Sequence, residues 1–569
     1  MVTGGRATVV AAALLMLTVS PNAAAAARRA SAAPPGSVLT IPFPRDDGTL
    51  TPYTFDTAYP LVNLIYDTLL WRDPNGVAQP WLARSIGTSP DAKTITIHLT
   101  PGVRWQDGVE LTAADVAFTL AYVRSHYQSR FTPPLEPIIS VATPDERTVV
   151  LTLSHPAPGL VDEPLADLPI LPAHLWGNLR PGVTSPPGLP IGSGPYRLVQ
   201  HIPGVSYRFD ANTSYFRGPP SVATIEVPII GDAEQAVEAA AAGRADMLPF
   251  DLTSPLATRL EAAGERIARG PSYEGVDLLF NVRSVPFNQT ATRRAVASAL
   301  GLRQIAAAAD HAVPAVRGWI HPASPWSSPN VLYQPDPTAA RQALAAAGLA
   351  TIDVLAPDND PDRVTAARQV TSSLRAAGAS AQTDLVSQAS FDTRTGADGS
   401  PPNFQLAIGS IPALASYDPN FLAEMFGSGP TASPFNASGY ASASFDHAAA
   451  QVATTTDPAV RHAAVNAEQQ VLAAEVPAVP LFFAPGAFAY RARAYDGWVF
   501  VKGTGIFDKQ SFLGTRTAPG TPAPAPPGAS AAAAQPASGG GPSPLAIAAI
   551  AAFVAAGALA VFGLTRRTR

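Results

Sequence analysis

The stretch from Thr88 to Val123, TSPDAKTITIHLTPGVRWQDGVELTAADVAFTLAYV, constrains the fold more than any other part of the chain. Ile95, Ile97 and Leu99 alternate with Thr94, Thr96, His98 and Thr100, the period of two that marks a half-buried strand. Pro101-Gly102 closes that strand. A second short strand, Val103 to Trp105, ends at Asp107-Gly108, a dipeptide that tolerates the positive φ of a tight turn. Thr112 then offers an N-cap hydroxyl with Asp115 three residues on, the spacing of a capping box, which also places an acid at the positive end of the helix. Val116, Ala117, Leu120 and Val123 follow at helical spacing. The pattern predicts strand, turn, strand, turn and capped helix, a unit that by itself belongs to many folds and carries no function.

At 569 residues the chain is too long for one hydrophobic core and is expected to divide into two or more lobes. Only 14% of its residues are charged and it contains 59 prolines, so membrane segments have to be sought first. Near the N-terminus Arg6, the apolar run Val9 to Val19 and the alanines Ala23 to Ala27 read as an export signal, residues 1–27, with a run too short to span a bilayer. At the other end, residues 517–543 are rich in Pro, Ala and Gly and read as an extended linker. Residues 545–564 carry no charge and read as a C-terminal transmembrane helix, followed by a basic cytoplasmic tail, 565–569. The expectation is an extracytoplasmic protein anchored to the cell membrane by that helix. A net charge of −5 gives no reason to expect nucleic-acid binding.

The residue inventory also narrows the chemistry. With no cysteine there is no disulfide framework, thiolate metal site or cysteine nucleophile. The nine histidines are scattered, without an H-E-x-x-H frame, and no serine has a lysine three residues on, so neither metal ligands nor catalytic residues are assigned and no cofactor is expected. Gly192-Ser193-Gly194 suggests a phosphate loop or a nucleophile elbow, but no Gly-Lys-Ser/Thr follows and no G-x-S-x-G frame fits Ser193.

The opening stretch, read as D-x-x-T-φ-T-φ-x-L followed by R-W-x-D-G and L-T-A-x-D-V (φ, hydrophobic), resembles the signature of the large solute-binding proteins of ABC importers, family 5, which bind peptides, nickel chelates and related solutes. Further segments resemble the same family. Thr51 to Arg84 carries Y-D-T-L, D-x-x-G and P-x-L-A. Pro190 to Phe216 carries G-S-G-P-Y-x-L and N-x-x-Y, and Ala233 to Asp246 a helix ending at Gly243. Leu278 to Ile305 carries L-x-F-N and P-F, Asp336 to Gly348 a D-P-x-x-A helix, and Asp446 to Phe483 a closing D-P-x-x-R and A-E-x-x-L. Gly301 stands where that family usually has aspartate. The resemblance covers roughly residues 38 to 512. The absence of cysteine also removes the lipidated cysteine that often tethers such proteins.

The resemblance implies an α/β fold of the periplasmic-binding-protein kind, class II in its large three-subdomain form, with two lobes and a cleft between them. The first lobe is expected over 38–285 with an inserted subdomain at about 61–189, the second over 286–485, and a return to the first over 486–516. Asn281 to Pro286 is the candidate hinge. The implied function is the extracytoplasmic solute-binding component of an ABC-type importer, not an enzyme: a monomer that captures a peptide or other small solute and delivers it to permease and ATPase subunits. The alternatives are a membrane-anchored sensor or adhesin that keeps the fold, or a binder of a metal chelate or oligosaccharide.

The resemblance further implies ligand-binding positions at Tyr53, Phe55 and Tyr59 in the first segment, and at Ser410, Ala413, Ala415, Tyr417 and Asp418 in the loop LAIGSIPALASYDPNFL. Packing alone accounts equally well for the three aromatic residues, and a turn or cap before proline for Asp418. Peptide-binding members carry an aspartate four residues before the proline of that loop, to pair with the peptide's ammonium. Here the position is Ala415, and an ammonium enclosed there without a counter-charge would cost several kcal/mol in lost hydration. A ligand without a free amine is therefore expected, unless Asp418 or another acid substitutes.

Overall fold

The computed structural model describes residues 37–55, 58–128, 130–179, 185–309, 312–348, 351–428 and 436–514. The opening stretch folds largely as its pattern requires. Strand Thr94–Leu99 buries Ile95, Ile97 and Leu99 on one face and lies inside an antiparallel sheet ordered Ala83–Thr88, Thr94–Leu99, Thr148–Leu153, Ile138–Asp145. Helix Ala113–Ser125 starts after Thr112, whose N–H donates to the Asp115 carboxylate at 2.8 Å. The same carboxylate accepts the Ala173 N–H at 2.9 Å, so one buried acid caps the helix and holds the neighbouring chain. Val103 to Trp105 forms a tight reversal in place of a strand: the Trp105 N–H donates to the Val109 carbonyl and the Leu111 N–H to the Val103 carbonyl.

This subdomain is inserted into a lobe built on a second four-stranded sheet, ordered Val38–Thr40, Thr224–Pro228, Ser206–Ala211, Tyr196–Ile202. The G-S-G segment closes the join. A Cβ at Gly192 would stand 2.0 Å from the Ile65 carbonyl oxygen and one at Gly194 2.4 Å from that of Leu64, so both positions exclude a side chain where the segment crosses the end of helix Tyr59–Ile65. The other lobe is a mixed six-stranded sheet, ordered Val313–Pro314, Ala478–Phe483, Gly275–Phe280, Leu406–Ile411, Ile352–Pro357, Ala381–Val386. Its faces are covered by two apolar clusters, one around Val296, Val354 and Val370 and the other around Trp319, Phe426 and Phe445.

A two-stranded ribbon joins the lobes. Strand Arg266–Arg269 pairs with Ala487–Tyr490 on one side, and Gly275–Phe280 pairs with Ala478–Phe483 on the other. Between them the Gly270 N–H donates to the Gly486 carbonyl at 3.0 Å and the Ala484 N–H to the Glu274 carbonyl at 2.9 Å. Gly275–Phe280 is paired on both edges within the six-stranded sheet. The outbound crossing therefore lies at 270–274, ahead of Asn281 to Pro286, the expected hinge. That segment bonds within the second lobe instead, Asn281 N–H to the Gln405 carbonyl and Val282 N–H to that of Ser438.

One part of the expected fold class is corrected. No helix among the described residues is long and apolar enough to cross a membrane. The longest, Pro458–Glu475, has 18 residues and carries Arg461, Glu468 and Glu475, too short and too polar for a span. The two-lobed architecture stands, but the C-terminal transmembrane helix expected with it, and location by such an anchor, find no support among the described residues. The segments read as export signal (1–27), linker (517–543), helix (545–564) and basic tail (565–569) lie outside the described residues.

Candidate functional site

The region between the lobes is built from three pieces of chain: the inserted subdomain, the joining ribbon and the loop after strand Leu406–Ile411. On the first, Phe55, Tyr59 and Phe131 form an aromatic wall, with ring centroids 4.9 Å apart for Phe55 and Tyr59 and 6.1 Å from each to Phe131. The Arg130 guanidinium lies 4.1 Å above the Tyr59 ring and donates two bonds to Asp167, Nε at 2.5 Å and Nη2 at 2.8 Å. The Tyr59 hydroxyl donates to the Asp167 carbonyl. Burial and the neighbouring Asp167 hold the proton on Glu163, well above the ordinary carboxyl range. Asp167 is buried too, but Arg130 keeps it ionised and below its usual value.

Salt bridges and stacking clasp the inserted subdomain to the second lobe. Arg461, on helix Pro458–Glu475, bonds Asp162 at 2.6 Å and Asp418 at 3.1 Å. The Arg72 guanidinium sits 3.8 Å above the Tyr417 ring and donates to the Asp162 carbonyl at 2.8 Å. Tyr417 in turn packs on Tyr273 of the ribbon, centroids 5.2 Å apart, and its hydroxyl donates to the Lys502 carbonyl at 2.5 Å. Beside this clasp opens a cavity of about 1040 Å³, walled by Pro133, Gly159, Leu160 and Glu163 on one side and by Asp418, Phe421 and Glu424 on the other.

Glu424 is one of three acids in that cavity, with Glu163 and Asp418, whose carboxyls burial raises. Burial first, and the charge of Asp418 second, push its carboxyl up to about 8. In the unfolded chain it titrates near 4.5, so the folded protein holds the proton more tightly. Glu424 therefore contributes stability that is fully present below about 4.5 and is lost as the pH rises through about 8. Glu424→Gln is expected to leave the thermal midpoint unchanged at pH 4.5 and to raise it at pH 8.5, through a gain in unfolding free energy of about 1 kcal/mol once partial exposure is allowed for. Melts at both pH values test this, and an equal change at both would show that the Glu424 carboxyl is not raised in the fold.

The positions implied by resemblance are dispersed. Phe55 and Tyr59 share the aromatic wall, whereas Tyr53 packs behind it between Tyr122 and Trp176 and donates to the His126 carbonyl at 3.2 Å. Ser410 is exposed on strand Leu406–Ile411 and Ala413 is half-buried at the start of the short helix Leu414–Tyr417. Ala415 is fully buried in the second lobe's core with Trp319 and Phe483. Tyr417 belongs to the clasp. Asp418 is buried and occupied: besides Arg461 it accepts the Asn420 N–H at 3.1 Å and the Asn420 side-chain amide at 3.2 Å.

Sequence reasoning passed over Arg72, Arg130, Arg461 and Glu274. Glu274 precedes the apolar run Gly275–Phe280 with no motif around it. Its side chain is exposed while Tyr273 and Gly275 are buried, yet its carboxyl is raised, first by burial between the lobes and also by Asp360, with Arg130 opposing. It is an acid open to water inside a recess. Among the described residues, no group of three or more His, Asp or Glu is placed to hold a metal ion.

Solved structures share this architecture. The oligopeptide-binding protein AppA of Bacillus subtilis, solved in complex with a nonapeptide, superposes with a TM-score of 0.72 at 20% identity, covering 84% of this chain and 99% of that one. NikZ of Campylobacter jejuni in complex with Ni(L-His) gives 0.70 at 22%, covering 83% and 97%. Among curated relatives, a putative ABC transporter peptide-binding protein of Brucella ovis is 30% identical over 213 residues, 37% of this chain and 38% of its own. The Bacillus subtilis AppA sequence is 29% identical over 195 residues, 33% and 36% of the two chains. The alignments thus span little more than a third of these relatives' length. The model of the bacterial extracellular solute-binding proteins, family 5 (middle), matches residues 77–433. That match takes in most of the inserted subdomain, the outbound crossing and most of the second lobe, well over half of the chain, and the chain belongs to the bacterial extracellular solute-binding proteins, family 5.

Proposed function

We propose that this protein is the extracytoplasmic solute-binding component of an ABC-type importer, capturing a peptide or peptide-like solute between its lobes and delivering it to a membrane permease and its ATPase. The observation that carries the reading is the two-stranded ribbon between two separately cored lobes, beside a cavity lined from the inserted subdomain and from the second lobe. A ribbon is a natural hinge, because a few backbone dihedrals at 270–274 and 484–486 absorb a lobe rotation without disturbing either sheet. Solute then stabilises the closed form by touching both lobes at once, and the permease reads closure. To move the population from about 1:99 to 99:1, the solute must favour the closed form by roughly 5.5 kcal/mol.

Phe55 and Tyr59 are proposed to stack against the solute, with Ser410 and Ala413 facing it from the second lobe. No residue is given a catalytic role. The relatives named for peptides favour a peptide over a chelate or a sugar. Titration of the full chain with trialanine, nickel–histidine and a trisaccharide decides among them. Trialanine is expected to raise the thermal midpoint, with stabilisation of about 2.7 kcal/mol at a hundredfold excess over the dissociation constant. Stabilisation by the chelate or the sugar alone would reject the peptide reading.

A further inference from the structure

The family resemblance places a ligand-facing acid at position 415, and here that position is an alanine sealed in a core. The acids around the crossing ribbon are almost all engaged. Asp418 is held by Arg461 and Asn420. Asp251 accepts the N–H groups of Gly486 at 2.8 Å and Ala487 at 2.6 Å. Asp360 caps helix Pro361–Ala376 by accepting the N–H groups of Asp362 and Arg363. Asp167 is saturated by Arg130.

Glu274 is the exposed exception on the ribbon; Asp277, whose Oδ1 also lacks a hydrogen-bond partner among the described residues, is sealed inside the six-stranded sheet, and Glu424 stands in the cavity away from the ribbon. Its backbone is fixed where the two ribbon strands are tied, through the Ala484 N–H. Its exposed carboxylate has no hydrogen-bond or ion-pair partner among the described residues. Arg130 of the inserted subdomain and Asp360 of the second lobe both influence it electrostatically, as befits an exposed side chain on the ribbon between the lobes. Arg130 favours the charged form of Glu274, but its Nε and Nη2 are spent on Asp167, so no described side chain bonds the Glu274 carboxylate directly.

We infer that Glu274 is the acidic anchor of the cleft, receiving an aliphatic ammonium of the solute from the hinge in place of an acid on the loop after strand Leu406–Ile411. The ligand class is an amine-bearing, peptide-like molecule, whose cationic end lies at the ribbon and whose remainder runs along the Phe55–Tyr59 wall. This rests on the solute-binding reading above. Anchoring the charge at the hinge has a mechanical consequence: the ammonium is held at the pivot, where it moves least as the lobes close, so recognition of the amine precedes closure.

The test measures binding to the full chain by calorimetry with two probes, trialanine and N-acetyl-trialanine, for the wild type, Glu274→Gln and Glu274→Asp. The wild type is expected to prefer the free amine at least tenfold. Glu274→Gln should lose roughly 30-fold on trialanine, with binding of the acetylated peptide unchanged, and Glu274→Asp should fall between. Since the side chain is exposed and unbonded, the melting temperature of Glu274→Gln without ligand should match the wild type. Trialanine binding within twofold of wild type in Glu274→Gln, or a wild type that does not distinguish the two peptides, overturns the anchor and leaves solute binding intact. A wild type that binds neither peptide overturns the peptide reading and the anchor with it.

Discussion

Replacing Lys509 by methionine is expected to lower the unfolding free energy by about 3–5 kcal/mol, the cost of leaving a buried charge without its partner. Lys509 and Asp67 are both fully buried, with Nζ 3.0 Å from the carboxylate. The ammonium also lies 3.8 Å above the Trp71 ring and 5.1 Å from that of Trp81. Asp67 collects three neutral donors besides: Trp81 Nε1 at 2.8 Å, the Tyr215 hydroxyl at 2.9 Å and the Ser193 hydroxyl at 3.0 Å. These keep the carboxylate hydrogen-bonded after the substitution but do not cancel its charge. Burial depresses the Lys509 pKa while Asp67 opposes the depression, so each charge depends on the other. The pair ties the start of the inserted subdomain to the segment that returns near the end of the first lobe, residues 442 positions apart. Urea unfolding of the wild type, Lys509→Met, Asp67→Asn and the double variant checks the claim. The double variant should recover much of the loss, because the uncompensated charge disappears. A loss below about 1 kcal/mol in Lys509→Met would mean that Arg217, which stacks on Trp81 at 3.9 Å, already neutralises Asp67.

The second large effect is expected at Gly486. Its φ is +70°, and a Cβ there would stand 1.7 Å from the Gly270 carbonyl oxygen. Gly486→Ala therefore combines the left-handed penalty of about 1–2 kcal/mol with a backbone collision that no rotamer relieves. The total should exceed about 3 kcal/mol or force the ribbon apart. Gly264 provides the control: its φ is +90°, but nothing lies within 4 Å of the added Cβ, so Gly264→Ala should cost only the conformational penalty, about 1–2 kcal/mol. Denaturant midpoints of the two variants measure the difference, and equal losses would show that the ribbon opens at no cost. Because Gly486 sits at the lobe crossing, Gly486→Ala should also weaken trialanine binding, whereas Gly264→Ala should not.

Much of the local structure was legible before any fold was known. Asp336 and Gly348 were read as the ends of a helix; the structure caps Pro337–Ala347 with the Asp336 carboxylate on the Ala339 N–H at 2.9 Å and ends it at Gly348 with φ +56°. Both signals act within one or two turns, which is why they survive translation from sequence to structure. The reversal at Val103 to Trp105 was read as a strand because three residues cannot separate a short strand from the arms of a turn. The twenty uncharged residues at 545–564 met the length requirement for a span, but no helix in the described fold extends that reading.

The cleft was less legible, for a physical reason. Ala415 and Asp418 stand in a loop that a family pattern marks for ligand, yet the first is buried in the cluster that holds Trp319 and Phe483, and the second is paired with Arg461, 43 residues further on. Glu274 shows the converse: no motif surrounds it, and its exposure at the ribbon, within electrostatic reach of Arg130 and Asp360 from distant parts of the chain, arises only on folding. The sequence by itself determined the strands, the capped helices and the family, because alternation, helical spacing and capping are local properties of neighbouring residues. Only the tertiary structure decided where the chain crosses between lobes and which charges remain unpaired there, because whether a charge is free depends on every group that folding brings within a few ångströms of it.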